Sequence, residues 1–88
     1  MYFLYMIGHA YADLYVGVAE EPEQRVQYHN ERRGALYTKR DSKFEIVFLE
    51  KYPELAEARK REIQIKKWRR EKKDALIARY TKGLPTKI

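Results

Sequence analysis

Residues 2–7 (YFLYMI) form an unbroken apolar and aromatic run that stops at Gly8, the pattern of a strand covered on both faces. LYVGVA (14–19) alternates instead, with Leu14, Val16 and Val18 on one face and Tyr15, Gly17 and Ala19 on the other. The short connection between them, which contains Asp13, favours an antiparallel hairpin. From Pro22 to about Arg33 the chain turns polar and reads as a helix. Pro22 suits the first turn, Glu20, Glu21 and Glu23 complement the helix dipole, and Gly34 supplies a stop. The apolar stripe of this helix is poor, because its large apolar residues, Val26 and Tyr28, fall on different sides. FEIVFLE (44–50) predicts a third strand with Phe44, Ile46 and Phe48 facing one way. Pro53 then starts a helix carrying Leu55, Ala58, Glu62 and Ile65 at three- and four-residue spacing. The charged stretch KKWRREKK leads into a final helical turn or two (DALIARY), and Gly83 and Pro85 predict a flexible tail over 81–88. The expected fold is a single α+β domain over residues 1–80. Its three-stranded antiparallel sheet is flanked by helices in the order β-β-α-β-α, with a last helix after them.

Composition narrows the picture. The 88 residues include no cysteine, which excludes disulfides and thiolate zinc sites as sources of stability and leaves an ordinary hydrophobic core. Nineteen Lys and Arg against 13 Asp and Glu give a net charge of +6, which favours a polyanionic partner. No apolar stretch reaches the roughly 18 residues of a membrane span. The N-terminal MYFLYMIGHA has no charged segment ahead of its apolar run, so a signal peptide is not expected and a cytoplasmic location is.

Four features invite a chemical reading, and each has a plainer alternative. Tyr5 and Tyr15 fall on the paired first strands and would pass for core tyrosines, were it not for Gly17. A glycine inside a strand costs stability and often marks close approach of a ligand or another backbone. Arg25 and His29 are i, i+4 neighbours on the polar helix. They form either a solvated surface or an anion site in which guanidinium grips phosphate and imidazole handles protons. Glu62 lies within an apolar stripe, where a carboxylate needs a cationic partner such as Arg59 or Arg61, or a metal ion. Arg32, Arg33, Lys39, Arg40 and Lys43 concentrate positive charge around Tyr37. Such a run is a solvated face or a track for a nucleic-acid backbone.

The ordered set Tyr5, Tyr15-Val16-Gly17, Arg25, His29 and a later helical Glu62 resembles the GIY-YIG nuclease superfamily. It is most similar to the small stand-alone bacterial branch related to the excision-repair nuclease UvrC and to intron-encoded endonucleases. The second motif stands as Tyr15-Val16-Gly17 and the first is reduced to Phe3-Leu4-Tyr5, with Arg25 ten residues beyond Tyr15. The pair His29-Asn30, the loop Tyr37-Thr38-Lys39-Arg40 and the helix segment REIQIKKW complete a resemblance that spans residues 2 to about 77. It implies a metal-dependent DNA endonuclease with one Mg²⁺ or Mn²⁺ held by Glu62. Tyr5, Tyr15, Arg25 and His29 would be catalytic, and Gly17 would shape the site. Asn30, Arg33, Tyr37, Thr38, Lys39 and Arg40 would bind nucleic acid, DNA rather than RNA. These catalytic and metal-binding side chains are expected to converge on one surface. Family nucleases commonly draw specificity from an attached domain or a protein partner. The alternative is a nucleic-acid-binding module that keeps the fold without cutting.

Overall fold

The computed structural model describes residues 1–8, 14–34 and 44–87, with the side chains of 32–34 left aside. The elements are β1 (Tyr2–Gly8), β2 (Leu14–Ala19), α1 (Pro22–Gly34), β3 (Glu45–Tyr52), α2 (Leu55–Lys66) and α3 (Arg70–Thr81). The strands form one antiparallel sheet in the order β2-β1-β3. The apolar run of β1 thus occupies the centre, where both faces are covered, and the alternating β2 lies at an edge. The expected α+β architecture is the observed one, with a full three-turn α3 in place of a turn or two.

The sheet separates two cores. On one side Leu4, Met6 and Phe48 pack with Ala58 and Ile65 of α2 and Leu76 of α3, all essentially inaccessible to solvent. Val16 and Val18 of β2 close this layer. On the other side Ile7, Val26 and Phe44 form a smaller cluster, joined by Tyr5, Tyr15 and Ile46. Val26 is the single large apolar anchor of α1, and Tyr28 is exposed. Burying an aliphatic or aromatic side chain of this kind is worth roughly 1.5–3 kcal/mol.

Phe44, Ile46 and Phe48 were expected on one face, and here the structure differs. Met6 pairs with Phe48 but Ile7 pairs with Ile46, so Val47 is an extra residue in β3. This β-bulge resets the alternation. Phe44 and Ile46 stay on the α1 side, while Phe48 and Tyr52 join the α2 and α3 side. Leu55, predicted in the apolar stripe of α2, is exposed, and Arg61 is buried instead.

Arg61 is buried against Glu50, Nε to Oε1 at 3.0 Å. The same carboxylate accepts from the Tyr52 hydroxyl at 2.9 Å and the Thr86 hydroxyl at 2.9 Å, and Arg61 also donates to the Thr86 carbonyl at 2.7 Å. Burial pushes the Tyr52 phenol above its ordinary value. A hydrogen bond from Lys87 opposes that rise, and the bond to Glu50 adds to it. Residues 82–87, expected as a loose tail, are therefore tied back to β3 and α2. The turn that sends them there depends on Gly83. Its φ of +73° places it in the left-handed region at the end of α3, where Gly83 N–H bonds to the Tyr80 carbonyl and Leu84 N–H to that of Arg79.

The entry to β3 is held by Asn30. Its amide donates to the Phe44 carbonyl at 3.0 Å and its oxygen accepts the Phe44 N–H at 2.7 Å, so a side chain mimics a strand partner. Replacing Asn30 by Ala leaves both backbone groups without that partner and is expected to destabilise the protein by about 1–3 kcal/mol. Chemical denaturation measures this. A loss below a few tenths of a kcal/mol would mean that the clasp contributes nothing.

Candidate active site

Tyr5 and Gly17 are directly opposed across β1 and β2. A Cβ built on Gly17 would lie 2.6 Å from the Tyr5 hydroxyl oxygen and 2.7 Å from Cζ. The room a side chain would need is therefore taken by the phenol of Tyr5, which answers the question the glycine raised in the sequence. Tyr15, two residues before Gly17, shares that face. Its ring meets the His29 imidazole (centroids 5.2 Å apart, tilted by 56°) and the Phe44 ring (5.4 Å, edge-on). His29 in turn packs edge-on against Phe44 at 4.7 Å. Phe44 is fully buried and supports both rings. Sequence reasoning treated it as core alone, because nothing local shows that residues 15, 29 and 44 meet.

Arg25 is exposed on α1, one turn before His29, and its side chain has no ion pair or hydrogen bond among the described residues. Asn30, proposed from sequence to bind nucleic acid, has both ends of its amide engaged by Phe44. Tyr37, Thr38, Lys39 and Arg40 lie outside the described residues, as does the side chain of Arg33.

Glu62 arrives from the other layer. α2 packs on β1 and β2 with Ala58 and Ile65 against the Leu4 and Met6 side, and Glu62, between them, is also buried. Its Oε1 accepts from Arg59 at 2.9 Å and its Oε2 pairs with Lys66 at 3.1 Å. No hydrogen bond or ion pair among the described residues joins it to Tyr5, Tyr15, Arg25 or His29. The structure thus gathers Tyr5, Tyr15 and His29 around Gly17 and sets Arg25 on the adjoining helix. α2, which carries Glu62, packs on the other face of the sheet, so among the described residues no contact brings Glu62 onto the expected common surface. Burial alone would push the Glu62 carboxyl up. Hydrogen bonds from Arg59 and Lys66, with their positive charge, outweigh burial and hold it below its ordinary value.

As a hard-cation ligand Glu62 fits on chemistry. It is held ionised, and its two partners are half-exposed, flexible side chains that can yield to a metal. Among the described residues no group of three or more histidine, cysteine or acidic side chains is placed to hold an ion. Water would then supply most of the coordination, as Mg²⁺ commonly allows.

The face thus holds the Tyr5 phenol over a strand glycine and the Tyr15 ring against His29 of α1, the helix that also carries Arg25. The GIY-YIG catalytic domain model matches residues 1–75, and the chain belongs to that family. It is 40% identical over 76 residues to the UPF0213 protein of Staphylococcus aureus strain Mu3, covering 86% of this chain and 93% of that protein. The UPF0213 proteins of strains Mu50 and N315 match to the same extent. No solved structure matches the chain significantly. The family implies a nucleic-acid substrate. No helix among the described residues is long and apolar enough to cross a membrane.

Two measurements test this geometry. Gly17→Ala must displace the Tyr5 ring, which is expected to cost about 1–3 kcal/mol of stability. In a Tyr5→Ala background most of that penalty should vanish, and additive effects would contradict the contact. For Glu62 the folded pKa lies below the unfolded one, near 4.3. Its contribution is therefore present above that value and is lost as pH falls through the folded pKa. Below about pH 4.3 the wild type should lose melting temperature faster than Glu62→Gln. Parallel profiles would exclude the two ion pairs as stabilising contacts.

Proposed function

We propose that the protein is a metal-dependent DNA endonuclease that hydrolyses phosphodiester bonds, structure-directed or non-specific in its choice of DNA. The observation that carries this reading is the Tyr5 phenol lying against Gly17, on the face where Tyr15 meets His29. Hydrolysis needs a water that loses a proton as its oxygen bonds to phosphorus, and charge stabilisation as the bond to the leaving oxygen breaks. An ordinary phenol titrates near 10 and is a weak base at neutral pH. The imidazole beside Tyr15 offers a way round this. Tyr15 accepts the water's proton while passing its own to His29, so the phenol need not ionise beforehand. Tyr5, wedged against Gly17, orients the water. Arg25 binds the scissile phosphate and stabilises the charge that grows on its oxygens. Glu62 would hold one Mg²⁺ or Mn²⁺, which when bound supplies Lewis-acid stabilisation of the phosphate and the leaving oxygen. In this reading phosphate and ion meet around the open edge of β2, between the α1 side and the α2 side.

A second reading is a nucleic-acid-binding module that does not cut. It is favoured by the pairing of both Glu62 oxygens with Arg59 and Lys66. The two part cleanly at Glu62→Gln, which keeps the shape and removes the charge that would retain a metal. The nuclease reading expects DNA cleavage to fall by on the order of 10²-fold or more across a Mg²⁺ titration while DNA binding survives. Equal cleavage by variant and wild type would remove Glu62 from the machinery. No cleavage by the wild type on single-stranded, duplex, flap or branched DNA, with either metal, would leave the binding module.

A further inference from the structure

The corner between α2 and α3 carries a concentration of charge that neither the fold nor the proposed active site uses. Residues 66–73 (KKWRREKK) hold six cations against the single acid Glu71. Two of the six are neutralised within the chain, Lys66 by Glu62 and Arg70 by Asp74 at 3.0 Å. Lys72 lies over the Trp68 ring, 4.3 Å from its centroid. The side chains of Lys67, Arg69 and Lys73 have no ion pair or hydrogen bond among the described residues. Lys67 and Arg69 are exposed. Three cations also sit in the first turn of α3, where the helix dipole disfavours positive charge. An arrangement that leaves Lys67, Arg69 and Lys73 without an internal counter-charge among the described residues points to an external anion.

We infer that this corner is a second nucleic-acid contact surface, which takes the phosphate backbone of duplex DNA apart from the tyrosine face. The inference rests on the nucleic-acid reading of the active site and adds to it a place where the substrate is held. The chemistry favours phosphates over a lipid surface. Insertion into a membrane interface needs an apolar face beside the charges, whereas Leu76 of α3 is buried in the core and Trp68 and Ile77 pack against it. Backbone contacts of this kind carry no sequence information and add affinity evenly across sites.

The test is the triple variant Lys67→Ala, Arg69→Ala, Lys73→Ala, with its folding verified by circular dichroism. Binding to a labelled DNA duplex is followed across a salt titration, with Trp68, the chain's single tryptophan, as an intrinsic fluorescent reporter. The variant is expected to bind at least about tenfold more weakly, with a log–log salt slope shallower by about 2 to 3. Wild-type Trp68 emission should respond to the duplex. Cleavage at saturating DNA should be unchanged. An unchanged salt slope overturns the inference. So does loss of binding to anionic phospholipid vesicles with DNA binding intact. If the wild type binds duplex with the expected slope, and the variant does not, but neither cuts, the contact surface stands and the nuclease reading falls. If both cut and bind alike, the reverse holds.

Discussion

The ion pair between Glu50 and Arg61 is the constraint on which the arrangement of this small protein turns. Both groups are almost wholly removed from water, and an isolated charge in that setting would be prohibitive. Each is tolerated because the other is present and because Tyr52, Thr86 and Gln64 complete their hydrogen bonds. A buried pair of this kind is weak evidence of net stability, but it strongly fixes position. It ties β3, α2 and the C-terminal residues to one another. It also fixes Glu62, the next residue along α2, whose carboxylate can swing only as far as its own side chain permits.

The sheet divides labour between its faces. The side covered by α2 and α3 holds most of the fully buried apolar volume, in a domain too small for a second large core. The side covered by α1 is thinly packed, with Val26 as its apolar anchor, and is given over to aromatic rings and an imidazole. This explains a helix that looked too polar to be stable. α1 is held by Val26 together with the Asn30 clasp and the His29 ring contacts, so the residues that position it include one proposed to act chemically.

The architecture was legible because length and alternation decide it. The apolar run of residues 2–7 reads as a strand covered on both faces, and the alternating 14–19 as its partner in a short hairpin, which the sheet order β2-β1-β3 bears out. The bulge at Val47 was not legible. Alternation in the isolated segment FEIVFLE is unbroken, and the extra residue exists only relative to the pairing with Met6 and Ile7. Tyr5, Tyr15 and Gly17 could be singled out together because strand periodicity places Tyr15 and Gly17 on one face. That the Tyr5 phenol itself fills the space over Gly17 needed coordinates. The partners of Glu62 were half legible. Arg59 is its partner as foreseen, but Arg61 turns inward to Glu50, because two adjacent helical residues cannot share a direction and Glu50 was not visible as a buried acid in a strand read as apolar.

The extra residue in β3 has a consequence for heredity. A strand that changes sides at one point couples two otherwise independent surfaces to the count of residues between them. Point substitutions on either face of β3 can accumulate separately, since Ile46 and Phe48 answer to different neighbours. A single-codon deletion at Val47 is a special case. It would remove the bulge and leave Ile46 opposite Ile7 and Phe48 opposite Met6, each on its present side. This stretch of the gene can therefore lose that one codon without handing either face to the other.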